Sequence, residues 1–400
     1  MEGKGTIVFL IQSRDGGSWN RLCEAARRLS KKRMCYIISY SGECPQDIIE
    51  NPRIEIEELS IVSKYKSSLL FACFSLLHLI KIIVTRRRHG DLQIGSFSAN
   101  AGMSASLASF ITNARIFCVR RGANLRRLKN RLADSRKKGF VASMIKKLKI
   151  WVHMCETKLM FSRADLLIAQ TDTGLRQLQE EYNGWLPRQR AILRNNVNAT
   201  WINDKKDDAT SNPATLPGDV FNVCFVGRMQ IQVKGIDTLI DAAERLRNKP
   251  IQFHIVGDGP DIDEVRMRIS TSNLEGSVKT YGWMNNPLRV MITSDLVVVP
   301  SRVDPCPNVV LEAFAVDTPV VGANIGGIKA MLSHRKLLFD PEKPSDLRKL
   351  IYSASTDAQF HNCLLEKCRE RRKRHTFKWG AEVEKIFYTS VDSIYRAVDI

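Results

Sequence analysis

In the second half of this chain, short apolar runs rich in Val and Ile at 223–226, 251–256, 278–282, 296–300 and 319–323 alternate with segments such as 236–246 and 261–269, whose apolar residues recur every three or four positions. The runs have the length of buried strands and the intervening segments the period of helices. Strand and helix alternate at βαβ length, which predicts a parallel, doubly wound sheet. The first half repeats the pattern less regularly. Strands are expected at 7–12, 37–40, 92–97, 116–119, 166–169 and 192–194, and a helix follows Gly16-Gly17 through Leu22, Ala25, Ala26 and Leu29.

At 400 residues and 44 % hydrophobic content the chain can support two cores. Residues 203–219 lack an apolar period and read as a linker. The expected organisation is a first α/β domain over 1–202, the linker, a second over 220–378, and a closing helix in 379–400.

Polar residues cluster where such sheets bind ligands, beyond the carboxyl ends of the strands. Arg228 and Lys234 follow the run at 223–226, and Asp304 and Glu312 follow the run at 296–300. Two cations at one strand end suit a diphosphate, and a carboxylate in the first turn of a helix suits sugar hydroxyls, so the set suits a nucleotide-sugar. Blander roles stay open: Arg228 pairing with an acid, Glu312 serving the helix dipole, and Asp304 starting a turn before Pro305. Gly227, Gly257, Gly259 and Trp283 fall on the same rim, while Gly16 and Gly17 form a glycine turn that either admits a phosphate or simply joins strand to helix. Arg120 and Arg121 end a first-half strand, as a surface pair or as a contact for a phosphate-bearing acceptor.

Charge separates the halves. Residues 1–200 hold 34 Lys and Arg against 16 Asp and Glu, so they carry nearly all of the net +19. The excess peaks at 115–149, with thirteen basic residues and a single acid, Asp134. Such a field attracts an anionic membrane leaflet or a nucleic acid. No zinc-ligand spacing, RNP-like motif or DNA-reading helix accompanies it, so nucleic acid is not expected. Residues 69–84 are almost wholly apolar but too short to span a bilayer, and read as a domain helix or an interfacial one. Residues 137–161 combine an apolar period with crowded lysines, the format of a helix on a membrane surface or of an ordinary amphipathic one. Ten cysteines without a CxxC pair read as reduced thiols, and the short apolar start reads as a strand, so a cytoplasmic location is expected, peripheral to the membrane's inner face.

Taken in order, Gly227-Arg228…Lys234-Gly235, Gly257-Asp258-Gly259-Pro260, Gly282-Trp283, Pro300-Ser301…Asp304-Pro305-Cys306-Pro307…Leu311-Glu312-Ala313 and Pro319-Val320-Val321…Gly326-Gly327 resemble the donor half of retaining glycosyltransferases of family 4. Asn195-Asn196-Val197-Asn198 is similar to that family's Asn-Gly-Val-Asp turn. The resemblance implies the GT-B fold: two facing Rossmann-like domains with parallel sheets and a C-terminal helix, about 381–397, crossing back to the first. It implies that Arg228 and Lys234 hold the donor diphosphate, Glu312 the ribose, and Gly257 to Gly259 with Trp283 the base. Backbone N–H groups of Asn308, Val309 and Val310, after Pro307, would meet the sugar or phosphate. No cofactor or metal is required; the donor is a substrate, a UDP- or GDP-sugar, and a glycan or lipid-linked hydroxyl in envelope polysaccharide synthesis is the expected acceptor. A GT-B nucleotide-sugar epimerase is the alternative enzyme. Departures from the pattern are Asp304 where Glu is frequent, Asp317 where Gly is usual, Lys329-Ala330 for Pro-Glu, and no His at the first-domain position where many members place one near the donor sugar.

Overall fold

A computed structural model describes residues 5–11, 16–40, 42–59, 68–86, 91–97, 99–110, 112–120 and 140–388. The chain divides into two compact units, one made of residues 1–194 and 379–400, the other of residues 195–378.

The first unit is built on seven parallel strands: β1 (Gly5–Leu10), β2 (Met34–Ser39), β3 (Ile54–Glu58), β4 (Asp91–Ser96), β5 (Arg115–Arg120), β6 (Leu166–Ala169) and β7 (Gln189–Ile192), in the order β3-β2-β1-β4-β5-β6-β7. Strands covered on both faces read as continuous apolar runs, and Ile7, Val8, Phe9 and Leu10 are accordingly all buried. Residues 69–84 lie within the helix Ser68–Arg86, which buries Leu79, Ile82 and Ile83 in the core formed with β1, β2 and β4. Among the described residues no helix is long and apolar enough to cross a membrane. Gly16 and Gly17 are the first two residues of the helix Gly16–Leu29, where a free turn was expected.

The helix Trp379–Tyr388 packs in this first unit. Phe387 stacks on Phe117 with ring centroids 4.5 Å apart, its carbonyl accepts from Gln93 Nε2 at 3.0 Å, and Glu384 pairs with Arg28 at 2.5 Å. The expected helix over 381–397 starts earlier, and its residues beyond 388 lie outside those described.

The second unit carries β8 (Phe221–Val226), β9 (Ile251–Val256), β10 (Val278–Gly282), β11 (Leu296–Val299), β12 (Val320–Ala323) and β13 (Leu338–Phe339), again all parallel, in the order β10-β9-β8-β11-β12-β13. This is the dinucleotide-fold order, and the winding reverses between β8 and β11. The helix Ile236–Leu246 turns Ile236, Leu239, Ile240, Ala243 and Leu246 to the core, a spacing of three, four and seven that puts them on one face. Residues 203–219 depart from the expected linker: they begin inside a helix, Thr200–Ser211, which buries Ile202 and Ala209 and packs on the helices Leu288–Met291 and Asn308–Ala315. Two apolar residues seven apart are too sparse a period to mark a helix in the sequence.

Asp317, standing where Gly is usual in the resemblance, has φ 60, which explains the preference for Gly. Its carboxylate accepts from Arg369 Nε at 2.9 Å and lies 3.7 Å from Arg372, so an ion pair offsets the left-handed backbone.

Candidate functional site

Arg228 and Lys234 lie in the loop after β8, and Asp304 in the loop after β11, so these residues flank the reversal of strand order, where a crevice opens in such sheets. Lys234 Nζ stands 2.5 Å from Asp304 Oδ2, with both side chains largely covered. Arg228 is exposed and has no ion pair among the described residues.

The two loops are held together by backbone. Gly235 has φ 63, and a Cβ there would sit 2.0 Å from the Pro300 carbonyl oxygen, so only glycine lets the chain pass this close. Arg302 then clamps the contact: its N–H donates to Val233 O, Nη1 donates to Ile231 O at 3.1 Å, and its guanidinium forks onto Asp237 at 2.7 and 2.9 Å. That pairing raises the Arg302 pKa and fixes the short helix Ile231–Lys234. On the other side, a Cβ at Gly327 would lie 2.0 Å from Pro305 O, so the helix Gly326–Leu332 presses on the Asp304-Pro305 turn.

Glu312 is the fifth residue of the helix Asn308–Ala315, in its second turn, which corrects the expected first-turn position and removes the simple capping role. Its side chain is inside the protein, 8 % exposed, and burial pushes its pKa up to about 7 despite the opposing fields of Lys205 and Lys234. Lys234 therefore influences both carboxylates. Lys205, on the helix Thr200–Ser211, is the cation that sequence reading missed.

At the start of the Glu312 helix, helix geometry leaves the N–H groups of Asn308 and Val309 without intrahelical acceptors. Val310 N–H, expected to face a ligand, instead donates to Pro307 O at 3.2 Å. Asn308 Oδ1 accepts from Asn195 Nδ2 at 3.2 Å, which brings the Asn195-Asn196-Val197-Asn198 segment to this helix; His375 fixes it further by bonding Asn195 O and Val197 N–H. No local pattern links Asn195 and Asn308, which lie 113 positions apart in the chain.

The neighbouring rim is zipped in turn. Met229 N–H donates to Asp258 O, Ile231 N–H to the Asp261 carboxylate, and Gly257 N–H to Gly282 O at 2.7 Å, so Gly227, Gly257 and Gly259 share one connected edge. Trp283 follows Gly282, whose φ is 69, and stands 72 % exposed. On β9, His254 is gripped between Tyr281 Oη and Asn222 Oδ1, and burial lowers its pKa to about 4, so it stays neutral and structural.

Arg120 departs from the expected open cation. It is buried in the first unit, where Nη2 donates to Thr157 Oγ1 at 2.8 Å and the guanidinium lies over the Phe161 ring. Arg121 lies outside the described residues.

Comparison with known proteins fits this geometry. Residues 220–357 match the family model of glycosyl transferases group 1. A D-inositol 3-phosphate glycosyltransferase of Jonesia denitrificans is 30 % identical over 175 residues, 40 % of each chain. The lipopolysaccharide core biosynthesis glycosyltransferase LpsE of Rhizobium meliloti is 32 % identical over 111 residues, 28 % of this chain and 32 % of that one. The chain thus spans two fifths or less of the length of these two relatives. Anabaena Alr3699/HepE, solved in complex with UDP, superposes with a TM-score of 0.70 over 96 % of this chain and 100 % of its own, at 17 % identity, which shows a shared fold. Residues 220–357 are thus similar to the glycosyl transferases group 1, and along its length the chain has the GT-B fold.

Proposed function

We propose that this protein is a family 4 hexosyltransferase that moves a sugar from a UDP- or GDP-sugar to a hydroxyl acceptor with retention of configuration. The observation that carries the reading is the Lys234–Asp304 pair beside buried Glu312, set at the reversal between β8 and β11. Asp304 pairs with Lys234 and neutralises it. An incoming diphosphate offers Lys234 a stronger counter-charge and, with exposed Arg228 upstream in the same loop, would be held between two cations. Asp304, released, is then available to accept hydroxyls of the donor sugar. Glu312 accepts from the ribose, and its ionisation is favoured by those new hydrogen bonds.

Cleavage of the sugar–phosphate bond leaves charge on the diphosphate while the anomeric carbon gains oxocarbenium character. Arg228 and Lys234 stabilise that departing charge in this proposal, with no cofactor called upon. The acceptor hydroxyl attacks from the leaving-group face, and a diphosphate oxygen takes its proton. UDP and UDP-glucose in the structures of Alr3699/HepE favour a uridine donor, and the LpsE relative favours an envelope or lipid-linked acceptor. A basic first half suits an acceptor presented at the inner face of an anionic cytoplasmic membrane.

A panel of nucleotide-sugars tested by thermal unfolding checks the reading. The right donor raises the melting temperature of the wild type, and Glu312→Ala or Lys234→Ala abolishes the shift. An unchanged shift in both variants would remove these residues from the site. Detection of an isomerised nucleotide-sugar in place of transferred sugar would favour the epimerase.

A further inference from the structure

The helix Phe140–Arg163 of the first unit is apolar on two opposite faces. Its inner face carries Thr157, Met160 and Phe161, all buried, with Met160 and Phe161 in a core cluster with Leu167 and Tyr182. Its outer face carries Met144, Ile145, Leu148, Trp151, Val152 and Cys155, every one exposed, with Trp151 63 % open. At about 100° per residue these six positions fall within an arc of about 120°, and they run for about 17 Å along the axis. A surface helix of a soluble protein normally shows charge there.

Charge lies at the edges of that arc. Lys147 and Lys158 project on one side of the stripe and Lys149 on the other, all exposed, and the helix carries a single acid, Glu156. Long lysine stems flanking an apolar strip, with an exposed tryptophan in it, suit the boundary between lipid headgroups and acyl chains. A partner protein groove would be expected to meet three lysines with acids; an anionic leaflet meets them with headgroup phosphates over its whole plane. The wider excess of basic residues in 115–149 favours the same partner.

We infer that the outer face of the helix Phe140–Arg163 is the element that seats this protein on an anionic lipid surface, with Leu148 and Trp151 entering the acyl boundary and Lys147, Lys149 and Lys158 at the headgroups. The inference deepens the membrane part of the proposed function and names its contact.

Co-sedimentation of the full chain with vesicles of equimolar phosphatidylglycerol and phosphatidylcholine, against phosphatidylcholine alone, tests it. The wild type partitions at least tenfold better to the anionic vesicles. The pair Leu148→Glu and Trp151→Glu lowers that partitioning at least tenfold, while the melting shift given by the nucleotide-sugar donor, which reports on the second unit, is retained. Lys147→Glu, Lys149→Glu and Lys158→Glu together remove the preference for anionic lipid. Lipids brominated on the acyl chain quench wild-type tryptophan emission, and Trp151→Phe removes most of that quenching without loss of binding; this reading stands even where the glutamate variant fails to fold. Unaltered vesicle binding in a folded glutamate variant, or quenching that survives Trp151→Phe, would overturn the inference. So would a wild-type dimer in lipid-free buffer that the glutamate pair dissociates, since the stripe would then bind a second copy. Loss of vesicle binding and loss of the donor shift are separate readouts, so failure of one proposal leaves the other standing.

Discussion

Replacing Glu312 with Gln should stabilise the second unit at pH 8 while destroying its grip on the donor. Glu312 is enclosed, and its pKa stands near 7 instead of 4.5 because burial outweighs the fields of Lys205 and Lys234. The folded protein therefore holds this proton up to about pH 7, whereas the unfolded chain gives it up near 4.5. Between those values the folded state binds more protons, so stability falls as pH rises, and the loss is complete above about pH 7. A shift of this size corresponds to about 3 kcal/mol at pH 8, of which the amide's own need for hydrogen bonds gives back about 1 kcal/mol. The expected net gain of about 2 kcal/mol raises the melting temperature by about 4–8 °C for a unit of this size. Thermal unfolding of wild type and Glu312→Gln at pH 5 and pH 8, each with and without donor, reads both halves of the prediction. The variant should melt higher at pH 8, show a flatter pH dependence and lose the donor shift. A variant that melts lower than wild type at pH 8 with an unchanged pH slope would refute the claim that an ionised, buried carboxylate is held there at a cost to folding.

Donor affinity in the wild type should rise with pH up to about 7 and then level off, because in the proposed reading the ribose is accepted by the ionised form; calorimetric titration from pH 5.5 to 8.5 checks this. Gly235→Ala should cost at least about 2 kcal/mol, since a left-handed φ and a 2.0 Å approach to Pro300 O both oppose a Cβ, and should weaken donor binding by displacing Lys234; denaturant unfolding and titration measure the two effects. Arg302→Met should cost about 1–3 kcal/mol by leaving Asp237 unpaired, and should reduce donor affinity by about tenfold although Arg302 is expected to touch no ligand; a loss of stability with unchanged affinity would show that the clamp does not position Lys234.

What the sequence made legible follows from how parallel sheets are built. Strands buried on both faces are continuous apolar runs, so β9 emerges at its observed limits and β8, β11 and β12 within two residues; β10, an edge strand with Val278 alone buried, matches its expected limits without such a run. Their carboxyl ends locate the rim, and four polar residues on it were visible because they interrupt apolar surroundings. Lys205 was not visible, because its helix buries only a few small or spaced side chains and so shows no period. Arg302 was hidden because its role lies in backbone carbonyls and a carboxylate 65 positions away, which no local pattern records. Arg120 misled for a related reason: a cation at a strand end looks exposed until a distant segment, here the helix carrying Thr157 and Phe161, closes over it. Glu312 was recognised as a site residue but placed one turn early, since Pro307 does not show whether the helix begins before or after it.

In the proposed reading Lys234 trades Asp304 for the donor diphosphate, and a crystal structure with the bound nucleoside diphosphate selected by the melting screen would show the exchange. Lys234 Nζ is expected within about 3 Å of a phosphate oxygen, with Arg228 folded onto the same diphosphate and the 2.5 Å contact with Asp304 broken. An intact Lys234–Asp304 pair, with the diphosphate bound away from both cations, would contradict it.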